Sequence, residues 1–468
     1  MLERLDLKSL GKERAIYLVG IGGAGMSAIA TVLLQMGYIV EGSDIKESPN
    51  VRRLRKMGVD VGIGHRAANV GSASVVVRSS AISQDNPELL EAERTGIPVI
   101  DRAKMLAAIM ETRKGIAIAG THGKTTTSSL VTQMLLGCGA DPSFLIGGEL
   151  NETGGNAHYG GGEYLVAEAD ESDGSLINLR PEAVILTNVD GDHLDYFENA
   201  EQAASLFLEF LLLIPDNGFA VICGDDPRAR RAGLQFEKAG GRLHLYGGGQ
   251  DNQYRFRDQS IRGDGSTYTA LCGGDELGQV DIRIPGTHNI YNSLAAIAMG
   301  HQLGMSVEKV LNGIGEFKGV RRRFETIGIR AGIKVIDDYA HHPTEITAVL
   351  DLAGSIAPSR VVAVFQPHRY SRTEILASEF GQCFSDADII IVTDVYGAGE
   401  EPIPGVTGKL IVESILQNDS MKPVIYVPNR ADLAREVVGK LKQDDYVLTI
   451  GAGDITQCAG EILELLGE

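Results

Sequence analysis

The strongest chemical signal in the chain is Gly120-Thr121-His122-Gly123-Lys124-Thr125-Thr126-Thr127, which follows the apolar run GIAIAG at 115–120. A glycine-rich turn between a strand and a helix lays backbone amides around phosphates. Lys124 would neutralise β/γ oxygens, and the Thr125 hydroxyl would reach Mg²⁺. Gly120, Thr121, His122, Gly123, Lys124, Thr125 and Thr126 are therefore expected to bind ATP. The loop departs from GxxxxGK[ST], because Ile118 stands in the first glycine's place and Gly120 comes two residues later. A chance GKT is the poorer reading in this strand-loop-helix setting.

A second glycine turn, Gly20-Ile21-Gly22-Gly23-Ala24-Gly25, fits GxGxxG after the strand-like AIYLVGIG. Glycines there let a pyrophosphate approach the backbone at the positive end of a helix. Asp44, on Gly42-Ser43-Asp44 at the end of the next strand, falls in ribose-binding range. The motif leaves NAD, FAD and a nucleotide sugar open.

Acidic clusters close the next two apolar runs: Glu168-Ala169-Asp170-Glu171-Ser172-Asp173, and Thr187 to Asp195 with His193 inside it. Carboxylates so crowded repel one another unless a cation joins them. Strand ends of a parallel sheet converge on one crevice, so both clusters are expected to face the Lys124 loop. Glu168 and His193, with Thr125, are the metal candidates; solvated loop charges are the alternative for any one residue. His288-Asn289-Ile290-Tyr291-Asn292 opens an Ala-rich helix, where the polar groups could contact a nucleotide edge or simply cap the helix.

Further on, Asp337-Asp338-Tyr339-Ala340-His341-His342 and Gln366-Pro367-His368-Arg369-Tyr370-Ser371-Arg372 end two more strands. If a helix starts there, Arg369 and Arg372, three apart, share a face and can grip a phosphate or carboxylate. Arg321-Arg322-Arg323 adds basic charge nearby; surface ion pairs are the plain alternative.

These groups need a scaffold, and short β-branched runs alternating with helical periods predict one: α/β, built on parallel sheets. The pattern restarts twice over the 468 residues. Three domains follow: 1–112, carrying the GxGxxG turn; 113–318, carrying the phosphate loop; and 319–468. Residues 254–274 alternate around Gly-Asp-Gly as an antiparallel hairpin would. RAKMLAAIMETRKG (102–115) and GEFKGVRRRFE (315–325) read as connectors.

A net charge of −19 argues against nucleic acid as a partner. Five dispersed cysteines read as free thiols in a reducing compartment. The first residues lack a secretory pattern and no apolar stretch is long enough for a membrane span, so a cytoplasmic protein is expected. A NAD-dependent oxidoreductase, read from GxGxxG alone, gives GTHGKTTT no task. A nucleotide-hydrolysing switch protein is the other rival.

Taken together, VGIGGAGMSAIA, GTHGKTTT, EADESD, TNVDGDHLD, GTHNIYN, FKGVRRRF, DDYAHHPTE and FQPHRYSRT resemble the ATP-dependent Mur ligase family over nearly the whole chain. The resemblance implies a Rossmann-like UDP-sugar domain at 1–112, a central P-loop ATPase domain at 113–318 and a closing Rossmann-like domain at 319–468. It implies ligation of L-alanine to the lactyl carboxylate of UDP-N-acetylmuramate through an acyl phosphate, by a monomer or weak homodimer in the cytoplasm. It implies that Gly22, Gly23, Ala24, Gly25, Ser43, Asp44, His65, Ser79 and Ser80 hold the UDP moiety. Lys124, Thr125, Glu168 and His193 would handle ATP and Mg²⁺; His288, Asn289, Asn292, Arg323 and Asp338 would contact the nucleotide. Tyr339, His341, His368, Arg369 and Arg372 would face the muramoyl carboxylate and the amino acid, with Lys124, His341, Arg369 and Arg372 as the catalytic set. His341 or His368 would take the ammonium proton. Several sister ligases use a carbamylated lysine as a metal ligand; 165–237 contains no lysine, so none is expected here.

Overall fold

The computed structural model describes residues 5–150, 155–190 and 199–467. Three sheets carry the chain. The first has the order β3-β2-β1-β4-β5, from β1 (Ile16–Val19), β2 (Val40–Asp44), β3 (Asp60–Ile63), β4 (Val75–Arg78) and β5 (Val99–Asp101). All its pairings are parallel, and the order is that of a doubly wound nucleotide-binding sheet. Its central strand is apolar at every position because helices cover both faces.

The second sheet has ten strands in the order β15-β14-β13-β12-β11-β10-β6-β9-β7-β8. They are β6 (Lys114–Ala119), β7 (Ser143–Leu145), β8 (Ala157–His158), β9 (Tyr164–Glu168), β10 (Ala183–Leu186), β11 (Phe219–Cys223), β12 (Leu243–Tyr246), β13 (Tyr254–Arg262), β14 (Gly265–Cys272) and β15 (Asp275–Ile282). Around β6 the strands are parallel, with Ile118 beside Glu168 and Ala119 beside Leu186. The carboxyl ends of β6, β9 and β10 therefore reach one edge together. β13 and β14 are neighbours joined by two residues, which is the expected hairpin.

The third sheet runs β16-β17-β21-β18-β19-β20, from β16 (Glu325–Arg330), β17 (Ile333–Asp338), β18 (Val361–Phe365), β19 (Ile389–Val392), β20 (Val424–Tyr426) and β21 (Tyr446–Ile450). β16 is antiparallel to β17, and the remaining pairs are parallel. Separate apolar clusters fill its two faces. The sequence reading placed a connector up to 325 and began this sheet at 332. It passed over β16, an edge strand whose Ile327 and Ile329 are exposed and so lack the buried signature.

Three sheets make two compact units: Met1–Gln259 with Thr267–Arg283 and Asn289–Lys318, and Ser260–Ser266 with Ile284–His288 and Gly319–Glu468. The first two sheets share a unit because the segment read as a connector is packed. Helix Arg102–Met110 buries Met105 through Met110. One apolar cluster runs from Ile16 and Leu18 through that helix to Val184 and Phe207.

Candidate active site

β6 delivers the phosphate-type loop to the carboxyl edge of the second sheet, and helix Lys124–Gly137 leaves it. Two glycines make the turn possible. Gly120 has φ +125° and would press a side chain against Thr187 Oγ1 and the Asn188 backbone; Gly123 has φ +82°. Gly123 caps the helix without a side chain, so no side-chain oxygen competes for the first-turn amides.

The loop is fastened to the segment after β10. Asn188 accepts from the His122 amide at 2.9 Å and donates to the His122 carbonyl at 3.0 Å. Thr187 Oγ1 donates to the same carbonyl at 2.7 Å, and Thr121 Oγ1 accepts from the Asp190 amide at 2.9 Å. His122 Nε2 lies 3.3 Å from Asp190 Oδ2. Thr126 is buried in the first helical turn.

Lys124 Nζ donates to the carbonyls of Gly120 and Thr121 at 2.6 and 3.1 Å and to both Glu171 oxygens at 2.9 Å. Burial alone would lower the Lys124 pKa, but the Glu171, Asp170 and Glu168 carboxylates outweigh it, and the net shift is upward. Lys124 is a fixed cation. Glu168 accepts from Thr125 Oγ1 at 3.2 Å, Ser128 Oγ at 2.9 Å and the Gly147 amide at 2.6 Å. Two of the three metal candidates, Thr125 and Glu168, are thus in contact; His193 lies outside the described residues.

Asn292 Oδ1 accepts from Thr127 Oγ1 at 3.2 Å, and its Nδ2 donates to Asn289 Oδ1 at 3.4 Å. A Cβ on Gly123 would stand 2.9 Å from that Oδ1, so Asn292 packs directly on the loop. His288, on the same helix, falls in the other compact unit.

In the first sheet, the glycine turn starts helix Ala24–Gln35 with Gly23 as a cap lacking a side chain. Asp44 Oδ2 accepts from the Gly22 amide at 2.9 Å. The acidic residue in ribose range is therefore bound to the turn itself. Ser43 is buried with its hydroxyl on Glu88, and His65 Nδ1 sits on the same carboxylate at 3.1 Å. Ser79 and Ser80 follow β4, where the Ser79 oxygens accept from the amides of Ala81 and Ile82.

Some groups escaped the sequence reading. Arg102 places Nη2 at 3.4 Å from Asp170, and a Cβ on Gly25 would stand 2.8 Å from its Nη1. It connects the glycine turn to the acidic strand end, yet in sequence it opens what reads as a connector. Glu171 lay in plain view among six consecutive residues with four carboxylates, where spacing cannot say which one meets the lysine.

In the second unit, Asp338 accepts from the Phe324 and Ala340 amides, each at 2.7 Å. Burial pushes its pKa up to about 6, against the opposing effect of Arg323. Arg322 and Arg323 stack on Tyr339 at 4.9 and 5.3 Å from the ring centre. Arg322 is otherwise committed to Asp337 and the Gly451 carbonyl. His341, His368 and Tyr396 form a row: the first two rings meet at 62°, the last two at 13°. Burial, then the charges of His341 and the arginines, push the His368 pKa down to about 3.

Arg369 does not share a helical face with Arg372. Helix Tyr370–Ile375 begins after it, and Arg369 is the cap at φ +68°. The two guanidiniums reach different partners: Arg369 Nε lies 4.0 Å from Glu400, and Arg372 Nη1 lies 3.5 Å from His368 Nδ1.

Family models match along the chain: "Mur ligase family, catalytic domain" at 15–114, "Mur ligase middle domain" at 118–300, and "Mur ligase, glutamate ligase domain" at 322–453. The chain belongs to the Mur ligase family. A UDP-N-acetylmuramate–L-alanine ligase of Nitratidesulfovibrio vulgaris is 48% identical over 95% of this chain and 97% of its own. One from Pelotomaculum thermopropionicum is 44% identical over 98% and 99%. Among solved structures, the UDP-N-acetylmuramate–alanine ligase of Thermotoga maritima superposes with TM-score 0.82 at 29% identity, covering 97% of this chain and 99% of that one. A murein peptide ligase of Psychrobacter arcticus gives 0.70 at 25% identity, with the same coverage. As a Mur ligase, the chain is an ATP-dependent enzyme on three α/β domains.

Proposed function

We propose that this Mur ligase joins L-alanine to the lactyl carboxylate of UDP-N-acetylmuramate, in the cytoplasmic stage of peptidoglycan synthesis. The observation that carries the reading is the Lys124–Thr125 loop, fastened between Glu171 and Asn188 at the carboxyl edge of the sheet, in a chain so close to alanine ligases.

A carboxylate is a poor electrophile. In this reading it attacks the γ-phosphorus of ATP, ADP leaves, and the resulting acyl phosphate is attacked by the amino group of alanine, releasing phosphate. Lys124 neutralises the phosphate oxygens and the loop amides hold them in place. Thr125 and Glu168 offer hard oxygen donors in mutual contact, which suits Mg²⁺. When bound, that ion screens the repulsion between the phosphates and the attacking carboxylate.

Arg369 and Arg372 supply positive charge for the muramoyl carboxylate. Of the two histidines, His368, with its pKa near 3, holds a proton too weakly to receive one from an ammonium. His341 is the better candidate. Its Nδ1 rests on the Tyr339 carbonyl at 3.0 Å, which orients the ring beside His368.

The test is phosphate release from ATP and Mg²⁺ with UDP-N-acetylmuramate, each common amino acid being added in turn. Release with L-alanine, matched one for one by UDP-muramoyl-alanine, is expected. Release indifferent to every amino acid would instead mark a nucleotide-hydrolysing switch.

A further inference from the structure

The first unit buries a carboxylate to which the chemistry above gives no role. Glu88, in the first turn of helix Pro87–Thr95, is fully buried, and five donors converge on it. Oε1 accepts from Tyr17 Oη at 2.9 Å, the Arg66 amide at 3.2 Å and Asn69 Nδ2 at 2.7 Å. Oε2 accepts from Ser43 Oγ at 2.5 Å and faces His65 Nδ1 at 3.1 Å. Ser43 Oγ is also 2.9 Å from that Nδ1. The single serine proton lies toward Glu88, so both oxygens facing Nδ1 are acceptors. The ring proton therefore sits on Nδ1.

We infer that Glu88 is a positioning residue: with Ser43 it fixes the Nδ1–H form of His65 and makes Nε2 the acceptor offered to the sugar nucleotide. The inference rests on the reading that His65 touches the UDP moiety. A neutral ring presenting a lone pair takes a hydrogen-bond donor and rejects a phosphate oxygen. The ligand group is then the imide N–H of the base, an obligate donor, whereas a ribose hydroxyl would pair with either tautomer.

Glu88→Gln tests this because its amide can settle in only one way. On the Oε1 side the NH₂ would confront two obligate N–H donors, Arg66 and Asn69. On the Oε2 side it meets Ser43, which can rotate, and His65, which can change tautomer. The amide therefore donates to Nδ1, and the outward Nε2 gains the proton.

Nitrogen-detected NMR of the histidine rings near pH ~9, where an imidazole is neutral, reads this directly in the ligand-free protein. Wild type is expected to show Nδ1–H, and Glu88→Gln to show Nε2–H. UDP binding should weaken about tenfold in the variant, as two donors then face each other. The KM for the sugar nucleotide should rise, with kcat and the KM for ATP unchanged. Adding Glu88→Gln to His65→Ala should cost no further UDP affinity.

An analogue checks the donor: N3-methyl-UDP should bind worse than UDP in wild type but not in the variant. An Nε2–H ring in wild type overturns the role of Glu88 whether or not the variant folds, and so does an unchanged tautomer in the variant. A reversed tautomer with unchanged UDP affinity overturns instead the placement of His65 against the imide N–H.

Discussion

Lys124 and Glu171, forty-seven residues apart, form a two-pronged ion pair at 2.9 Å to each oxygen, with the carboxylate only 1% exposed. The pair holds the loop lysine between the strand end it follows and the strand end beside it. The three ammonium protons are all engaged, by Gly120, Thr121 and Glu171, so a phosphate oxygen must take the place of one of these acceptors when ATP binds.

Lys124→Ala removes that charge. Phosphate release should fall at least ~10²-fold, while UDP-N-acetylmuramate affinity, measured by calorimetry, stays within error. The buried Glu171 loses this ion pair, so unfolding should become easier by about 3–5 kcal/mol. Retained turnover would contradict the assignment of this loop to ATP.

Asn188→Ala cuts the two hydrogen bonds from Asn188 to the His122 backbone and leaves that from Thr187. A stability loss of about 1–2 kcal/mol is expected in urea titration. The KM for ATP should rise several-fold while the KM for L-alanine holds. An unchanged ATP KM would mean that the loop does not need its fastening.

Glu168→Gln leaves one acceptor oxygen where three donors converge and removes the negative charge beside Thr125. The Mg²⁺ concentration for half-maximal phosphate release should increase at least tenfold, with saturating Mg²⁺ restoring part of the rate. Chelation of Mg²⁺ should stop release in the native enzyme. Equal Mg²⁺ dependence in the two proteins would remove Glu168 from the metal site.

Asp338 links stability to pH. Its folded pKa is about 6, above the ~4 of an unfolded aspartate. Between those values the native state holds a proton that the unfolded chain has lost, so raising the pH favours unfolding. The stability of the native chain relative to Asp338→Asn should therefore decline as pH rises from 4 to 6 and be level on either side. Thermal unfolding across pH 3–8 would show the step; a difference independent of pH would refute it.

Much of the fold and site can be read directly from residue order. Strands such as Ile16–Val19 and Ala183–Leu186 are buried on both faces and therefore print as unbroken apolar runs. Gly120, Gly123, Lys124 and Thr125 are legible because a phosphate cradle demands them in one local stretch. An edge strand such as Glu325–Arg330 has no such pressure on its exposed side and escapes notice.

Partner choice was decided only in three dimensions. Spacing within EADESD cannot tell whether Glu168 or Glu171 meets Lys124; the parallel register of β6 with β9 does, by setting Ile118 beside Glu168 and Lys124 against the loop beyond it. The same holds for Glu88, whose donors come from positions 17, 43, 65, 66 and 69. Local sequence fixes which groups exist and which turn presents them. Burial then removes water as a partner, and each charged or polar group must find its complement among residues that packing, not proximity along the chain, has brought near.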